Sequence, residues 1–265
     1  MSLQRRKLKL AIVGCGFLGR IVAEAWKNGL LPEYELVACL SRNPESARAL
    51  ADKYKCKACA DLGELLELAP DYVVEAASPG AVKEIAEAVL SAGANLVLLS
   101  IGALADASFL ARIEACARAN GRRVHLASGA IGGFDVLRTA ALMSAIEASI
   151  TTEKGPNSLR NTAVFSEDLL DASDKREVFS GNARDAIALF PTKVNVAVAT
   201  ALATAGAEAT RVSINSVPGF KGDDHRIEVH GEEVHVVVDI YSRTSAIAGW
   251  SVVALLQNLA SPIAF

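Results

Sequence analysis

The chain has 265 residues, 51% of them hydrophobic, with a formal net charge of −3 at pH 7. That length suits one large or two modest domains with a real core. The acidic balance, with no basic block beyond Arg5-Arg6-Lys7, excludes nucleic acid as an expected partner. No uninterrupted apolar run reaches the roughly 18 residues that span a membrane, and the first apolar stretch belongs to a strand rather than a signal peptide. Five cysteines, with Cys56-Lys-Ala-Cys59 as a lone C-x-x-C, give no metal-ligand cluster and fit a reduced, cytoplasmic protein.

The first element is the strand predicted at 10–13, which runs into Gly14-Cys-Gly16-Phe17-Leu18-Gly19 and then a helical pattern at Ile21, Val22, Ala25 and Trp26. Strand, glycine turn and helix together form the context in which G-x-G-x-x-G binds a dinucleotide. Gly14 allows the tight turn, Gly16 admits a pyrophosphate close to the backbone, and Gly19 lets helix and strand pack closely. The helix N-terminus at Phe17 and Leu18 offers unpaired N–H groups and a positive dipole end to the phosphates. The strand at 34–40 ends in Ser41-Arg42-Asn43-Pro44. An Asp or Glu there would accept from the ribose 2′-hydroxyl of NAD. Ser41 and Arg42 instead suit a 2′-phosphate, which predicts NADP acceptance beside or above NAD; the plainer alternative makes Arg42 a solvated loop cation.

Helices are predicted at 44–54 and 61–68. A strand at 72–76 ends in Ala77-Ser78-Pro79-Gly80, and a helix then runs to Leu90. A strand at 95–100, a helix at 105–120 and a strand at 123–126 complete the first half. Strands alternating with helices indicate a parallel sheet, with ligands beyond the carboxyl ends of its strands. The loops at 14–19, 41–43, 77–80, 100–103 and 128–133 are therefore expected on one crevice, with Ala77 and Ser78 at the cofactor. Glu75, at the same rim, is either a site carboxylate or a hydrogen-bonded structural group. Past residue 133 the texture changes. A helix at 136–145 precedes β-prone segments at 148–152, 162–165, 212–215, 226–230 and 234–241, with helices at 182–189 and 195–205 and a hairpin around Gly231-Glu232. A final helix at 245–259 is apolar all round and so buried, against the first domain or a second subunit. The predicted class is α/β: a Rossmann-type dinucleotide-binding domain (1–133), a smaller α+β substrate and dimerisation domain (134–243), and a C-terminal helix (244–265) packing back on the first domain.

Six stretches carry a more specific signal: Val73-Val-Glu-Ala-Ala-Ser-Pro-Gly-Ala-Val-Lys83, Ser128-Gly-Ala-Ile-Gly-Gly-Phe-Asp135, Phe179-Ser-Gly-Asn-Ala183, Phe190-Pro-Thr-Lys-Val-Asn-Val196, Asp224-His-Arg-Ile-Glu-Val-His-Gly231 and Arg243-Thr-Ser245. Together they resemble the L-aspartate dehydrogenase family over nearly the whole chain. The resemblance implies a homodimer that catalyses NAD(P)-dependent oxidative deamination of L-aspartate to iminoaspartate, then oxaloacetate and ammonia, or the reverse. In some relatives the iminoaspartate feeds NAD biosynthesis. The family's acid–base histidine falls on His225. An imidazole with a pKa near 6.5 suits the proton transfers, and among four histidines His225 alone sits at a polar loop-to-strand junction. His125 ends an apolar strand, and His230 and His235 flank the hairpin. By the same likeness Ala130 and Asn195 lie near the nicotinamide and Gly129 offers backbone groups. Thr244 and Ser245 either cap the final helix or touch substrate. A doubly charged substrate requires cations, for which Lys193, Arg243 and Lys221 stand in that order. The chain departs from the family at Lys193 (usually Asn), Val217-Pro218 (Asp-Pro), Asp223 (Asn), Tyr241-Ser242 (Asn-Pro) and Arg243 (Lys). These departures bear on substrate identity. They keep open a dehydrogenase of another small amino or hydroxy dicarboxylate, and a non-catalytic NAD(P)-binding sensor.

Overall fold

The computed structural model describes residues 6–190 and 194–265. In chain order its first elements are β1 (Leu8–Val13), α1 (Phe17–Lys27), β2 (Tyr34–Leu40), α2 (Pro44–Tyr54), β3 (Lys57–Cys59), α3 (Leu62–Glu67), β4 (Tyr72–Glu75), α4 (Pro79–Ser91), β5 (Asn95–Leu98), α5 (Ala107–Ala119) and β6 (Val124–Leu126). The strands form a six-stranded, wholly parallel sheet in the order β3-β2-β1-β4-β5-β6. Strand order reverses between β1 and β4, which opens a crevice at their carboxyl ends. The central strands are continuous apolar runs because helices cover both faces: Leu10, Ile12, Val74 and Val97 are fully buried. Helix starts follow local chemistry. Asn43, Asp61, Ser78 and Asp106 each accept from backbone N–H groups of the first turn, and Pro44 and Pro79 occupy the opening turns of α2 and α4. Two features depart from expectation. The short edge strand β3 lies in what reads as linker, and a 3-10 turn at Ile101–Ala105 delays α5 to Ala107.

The later elements are α6 (Phe134–Met143), β7 (Glu147–Lys154), β8 (Arg176–Asn182), α7 (Ala183–Leu189), α8 (Asn195–Ala203), β9 (Thr210–Ser216), β10 (Asp223–His230), β11 (His235–Ser242) and α9 (Ala246–Ala260). β7 to β11 form a second sheet, ordered β11-β10-β7-β9-β8, in which only β7 and β9 run parallel. The hairpin closes at His230 opposite His235. Residues 162–165 are not a strand. They form a turn between 3-10 segments at Pro156–Leu159 and Glu167–Leu169, with Asn161 left-handed (φ 64) and Phe165 under the Arg160 guanidinium. The edge strand is instead β8, whose mixed polar sequence carries little alternation to read.

The chain divides into two compact units, one running up to Ala127 and resuming at Ala248–Phe265, the other spanning Ser128–Ile247. The turn at 128–133 thus belongs to the second unit. Helix α9 is not buried all round: Gly249, Val252, Val253 and Leu256 face the first unit's core, while Trp250 is 48% exposed. Its seat is specific. Gly249 lies against Ile21, which a Cβ would approach to 2.8 Å, and the buried Tyr34 hydroxyl donates to the Leu256 carbonyl (2.8 Å).

Candidate dinucleotide cleft and acid–base histidine

In the first unit, Gly14, Gly16, Ser41, Arg42, Ala77 and Ser78 line one cleft at the carboxyl ends of β1, β2 and β4. The glycines have distinct jobs. Gly14 has φ +106, and a Cβ there would lie 2.4 Å from the Ala76 carbonyl oxygen; at Gly19 a Cβ would lie 1.9 Å from that of Gly14. Both are forced by close backbone approach. A Cβ on Gly16 would meet nothing within 4 Å, so that backbone opens onto free space. This cradle fits the pyrophosphate of a nicotinamide dinucleotide on the N-terminus of α1. Of the other expected contacts, Gly19 is buried under the turn, Leu18 packs on the core, and Phe17 is 59% exposed at the start of α1. Arg42 is exposed at the end of β2, and Ser41 accepts from the Asn43 N–H. The Ser78 hydroxyl caps α4.

Glu75 resolves as a structural group. It is fully buried, and its carboxylate accepts from the Ala77 N–H (2.7 Å), the Ser100 N–H (3.0 Å) and the Ser100 hydroxyl (2.8 Å). Burial raises its pKa, and those bonds oppose the rise. The side chain ties the cleft-lining turn after β4 to the turn after β5.

In the second unit, His225 is not at a loop junction. β10 begins at Asp223, so His225 lies within the sheet, opposite Thr152 of β7 and Ile240 of β11, and is only 2% exposed. Its Nδ1 is 2.9 Å from the Thr152 hydroxyl oxygen. Two residues away on the same face, Lys154 Nζ pairs with the Asp223 carboxylate. Burial, with help from the Lys154 ammonium and against the pull of Asp223, lowers the His225 pKa to about 4. The imidazole is therefore neutral at pH 7, with Nε2 as its remaining proton site. The other histidines lack such a setting: His125 lies 6.0 Å from the Tyr72 ring, and His230 stacks on His235 at the hairpin end.

Gly129 (φ +66) and Ala130 sit in the turn between Ser128 and Gly133, and Asn195 opens α8. Arg243, Thr244 and Ser245 are exposed between β11 and α9, where Thr244 accepts from the Ala246 N–H. Lys221 is exposed beside them: its carbonyl accepts from the Tyr241 hydroxyl, and Gly222 lets the loop cross Ser242 and Arg243. Lys193 lies outside the described residues. Thr152 and Lys154 carry no signal in a local reading except that both follow the inward alternation of Ala148 and Ile150 on β7. Among the described residues, no cluster of three or more metal-ligating side chains occurs, and no helix is long and apolar enough to cross a membrane.

Comparison with known proteins covers both units. Residues 14–127 match the family described as homoserine dehydrogenase, NAD binding domain, and residues 135–259 match aspartate dehydrogenase, C-terminal. The L-aspartate dehydrogenase of Methanocella arvoryzae is 36% identical, over 96% of this chain and 98% of its own. That of Methanocaldococcus jannaschii is 33% identical over 97% and 98%. The crystal structure of aspartate dehydrogenase from Thermotoga maritima superposes with a TM-score of 0.79 at 27% identity, covering 97% of this chain and 99% of that one. Likeness of this extent, running through the glycine turn and the histidine strand alike, makes the chain a member of the L-aspartate dehydrogenase family.

Proposed function

We propose that the protein is an NAD(P)-dependent oxidoreductase that interconverts L-aspartate with iminoaspartate and, after hydrolysis, oxaloacetate and ammonia. His225 is its acid–base group. The observation that carries this is a histidine inside a sheet whose Nδ1 meets the Thr152 hydroxyl and whose lowered pKa leaves it neutral at pH 7. A bound nicotinamide dinucleotide supplies the hydride acceptor or donor. The turn at Gly14 and Gly16 and the start of α1 hold its pyrophosphate, and Ser41 and Arg42 face the adenosine ribose, where Arg42 favours a 2′-phosphate. Ala77 and Ser78 lie along the same cleft. By resemblance to the family, Ala130, Asn195 and Gly129 approach the nicotinamide.

In the oxidative direction the neutral imidazole accepts a proton from the substrate nitrogen as the Cα–H bond breaks. After releasing that proton to solvent it takes one from the water that attacks the imine carbon, and returns it to nitrogen as ammonia leaves. Lys193, Arg243 and Lys221 are the cations proposed for the substrate carboxylates, with Thr244 and Ser245 beside them. A related reading, a different small amino or hydroxy dicarboxylate, is favoured by Arg243 and Asp223, both departures from the family in segments proposed for the pocket. A homodimer, expected from the family, and a cytoplasmic location, in keeping with five free thiols, complete the proposal; sedimentation in solution tests the dimer.

The deciding experiment follows NADPH and NADH oxidation with oxaloacetate plus ammonia, on wild type and His225→Ala. Turnover that falls by about 10²–10⁴-fold in the variant supports both assignments. Cofactor binding without turnover in the wild type moves the protein to another substrate or to a sensor role.

A further inference from the structure

We propose that Thr152 is the positioning residue of the acid–base machinery: its hydroxyl accepts the Nδ1 hydrogen of His225 and leaves Nε2 unprotonated. The inference rests on the reading of His225 as acid–base group. Thr152 and His225 are direct cross-strand partners on β7 and β10, 3% and 2% exposed, with Oγ1 and Nδ1 2.9 Å apart. On this face Thr152 has Ile150 and Lys154 along its own strand, Ile227 and Asp223 diagonally across on β10, and Ile214 beside it on β9. Valine would fill the same space in a strand without a hydroxyl to desolvate. The hydroxyl thus has a polar purpose, and His225 is its partner. An accepting hydroxyl takes the Nδ1 hydrogen of the neutral ring and, more strongly, that of the imidazolium, so Nε2 can gain and lose a proton with no rearrangement at Nδ1. A carboxylate in this place would also orient the ring, but its charge would favour the imidazolium. Among the described residues the charged groups at register positions on this face are Lys154 on β7 and Asp223 on β10, paired with each other, and Arg176 at the far edge on β8, paired with Asp168. The inward-facing neighbours on β9 (Ile214, Ser216) and β11 (Ile240, Ser242) are uncharged.

The test compares Thr152→Val and Thr152→Ser with His225→Ala in the same assay. Thr152→Val is expected to lower kcat by about tenfold or more, part of what a placed acid–base group supplies, with KM little changed. The acid limb of its pH profile moves down, since the imidazolium loses an acceptor. Nitrogen-15 spectra of the enzyme, with the His225 signal assigned by its absence in the alanine variant, show Nδ1–H in the wild type and a mixed tautomer in Thr152→Val. Thr152→Ser keeps the hydroxyl and restores kcat and the tautomer. Wild-type kcat and tautomer in Thr152→Val overturn the proposal, as does a loss of activity that Thr152→Ser does not rescue. An active His225→Ala overturns the reading beneath it instead.

Discussion

A histidine whose pKa is about 4 enters a reaction at neutral pH already deprotonated. The acid limb of kcat/KM for aspartate oxidation is therefore expected near pH 4, well below the roughly 6.5 of a free imidazole; a rate profile from pH 4 to 8 checks it. Stability carries the same signature. The unfolded chain binds a proton below about pH 6.5 that the folded site refuses until about pH 4, so stability is full above that window and declines through it. The loss attributable to this group is on the order of 3 kcal/mol at its lower end, and urea midpoints of wild type and His225→Gln across the window isolate it. At the other site, Arg42→Asp exchanges the cation proposed for a 2′-phosphate for a carboxylate suited to a ribose 2′-hydroxyl. It is expected to cut kcat/KM with NADPH by roughly 10- to 100-fold, the worth of a charged hydrogen bond, and to spare NADH; initial rates with both cofactors decide.

Among elements, the strand–turn–helix at the start of the chain separates structural glycines from functional ones. Gly14→Ala and Gly19→Ala drive a Cβ to 2.4 and 1.9 Å from carbonyl oxygens, and at Gly14 also impose φ +106 on alanine. Each is expected to destabilise by about 1–3 kcal/mol or more, read as a lower melting temperature without ligand. Gly16→Ala adds its methyl to open space. It should melt like the wild type yet weaken dinucleotide binding by calorimetry, because the methyl stands where a pyrophosphate must approach. The first half of the chain is readable at this scale: spacing of apolar residues fixes β2 and α2 from local signals, and capping residues mark where the helices begin. The second half is less so, since β8 is an edge strand without alternation and 162–165 is apolar enough to resemble a strand it does not form.

For the whole molecule, the defining contact joins residues 222 positions apart. The Tyr34 hydroxyl, buried, donates to the Leu256 carbonyl and seats α9 in the first unit's core. Burial raises the Tyr34 pKa, so it stays a donor throughout the physiological range. Tyr34→Phe is expected to cost about 1 kcal/mol, measured as a lower denaturation midpoint with the cofactor cleft intact.

The sequence by itself determines the parallel sheet, the glycine turn and the change to a second kind of sheet after residue 133, because each is written in short-range periodicity and turn chemistry. It also points to His225 among four histidines, by its polar surroundings in sequence and more strongly by family likeness. The tertiary structure alone decides that this histidine is buried in a strand, that Thr152 is its partner 73 residues away, and that Lys154 lies beside it, paired with an aspartate 69 residues distant. Such neighbours come from strand pairing and register between distant segments. No local pattern encodes that register, so the electrostatics that hold His225 neutral exist only once the sheet has formed.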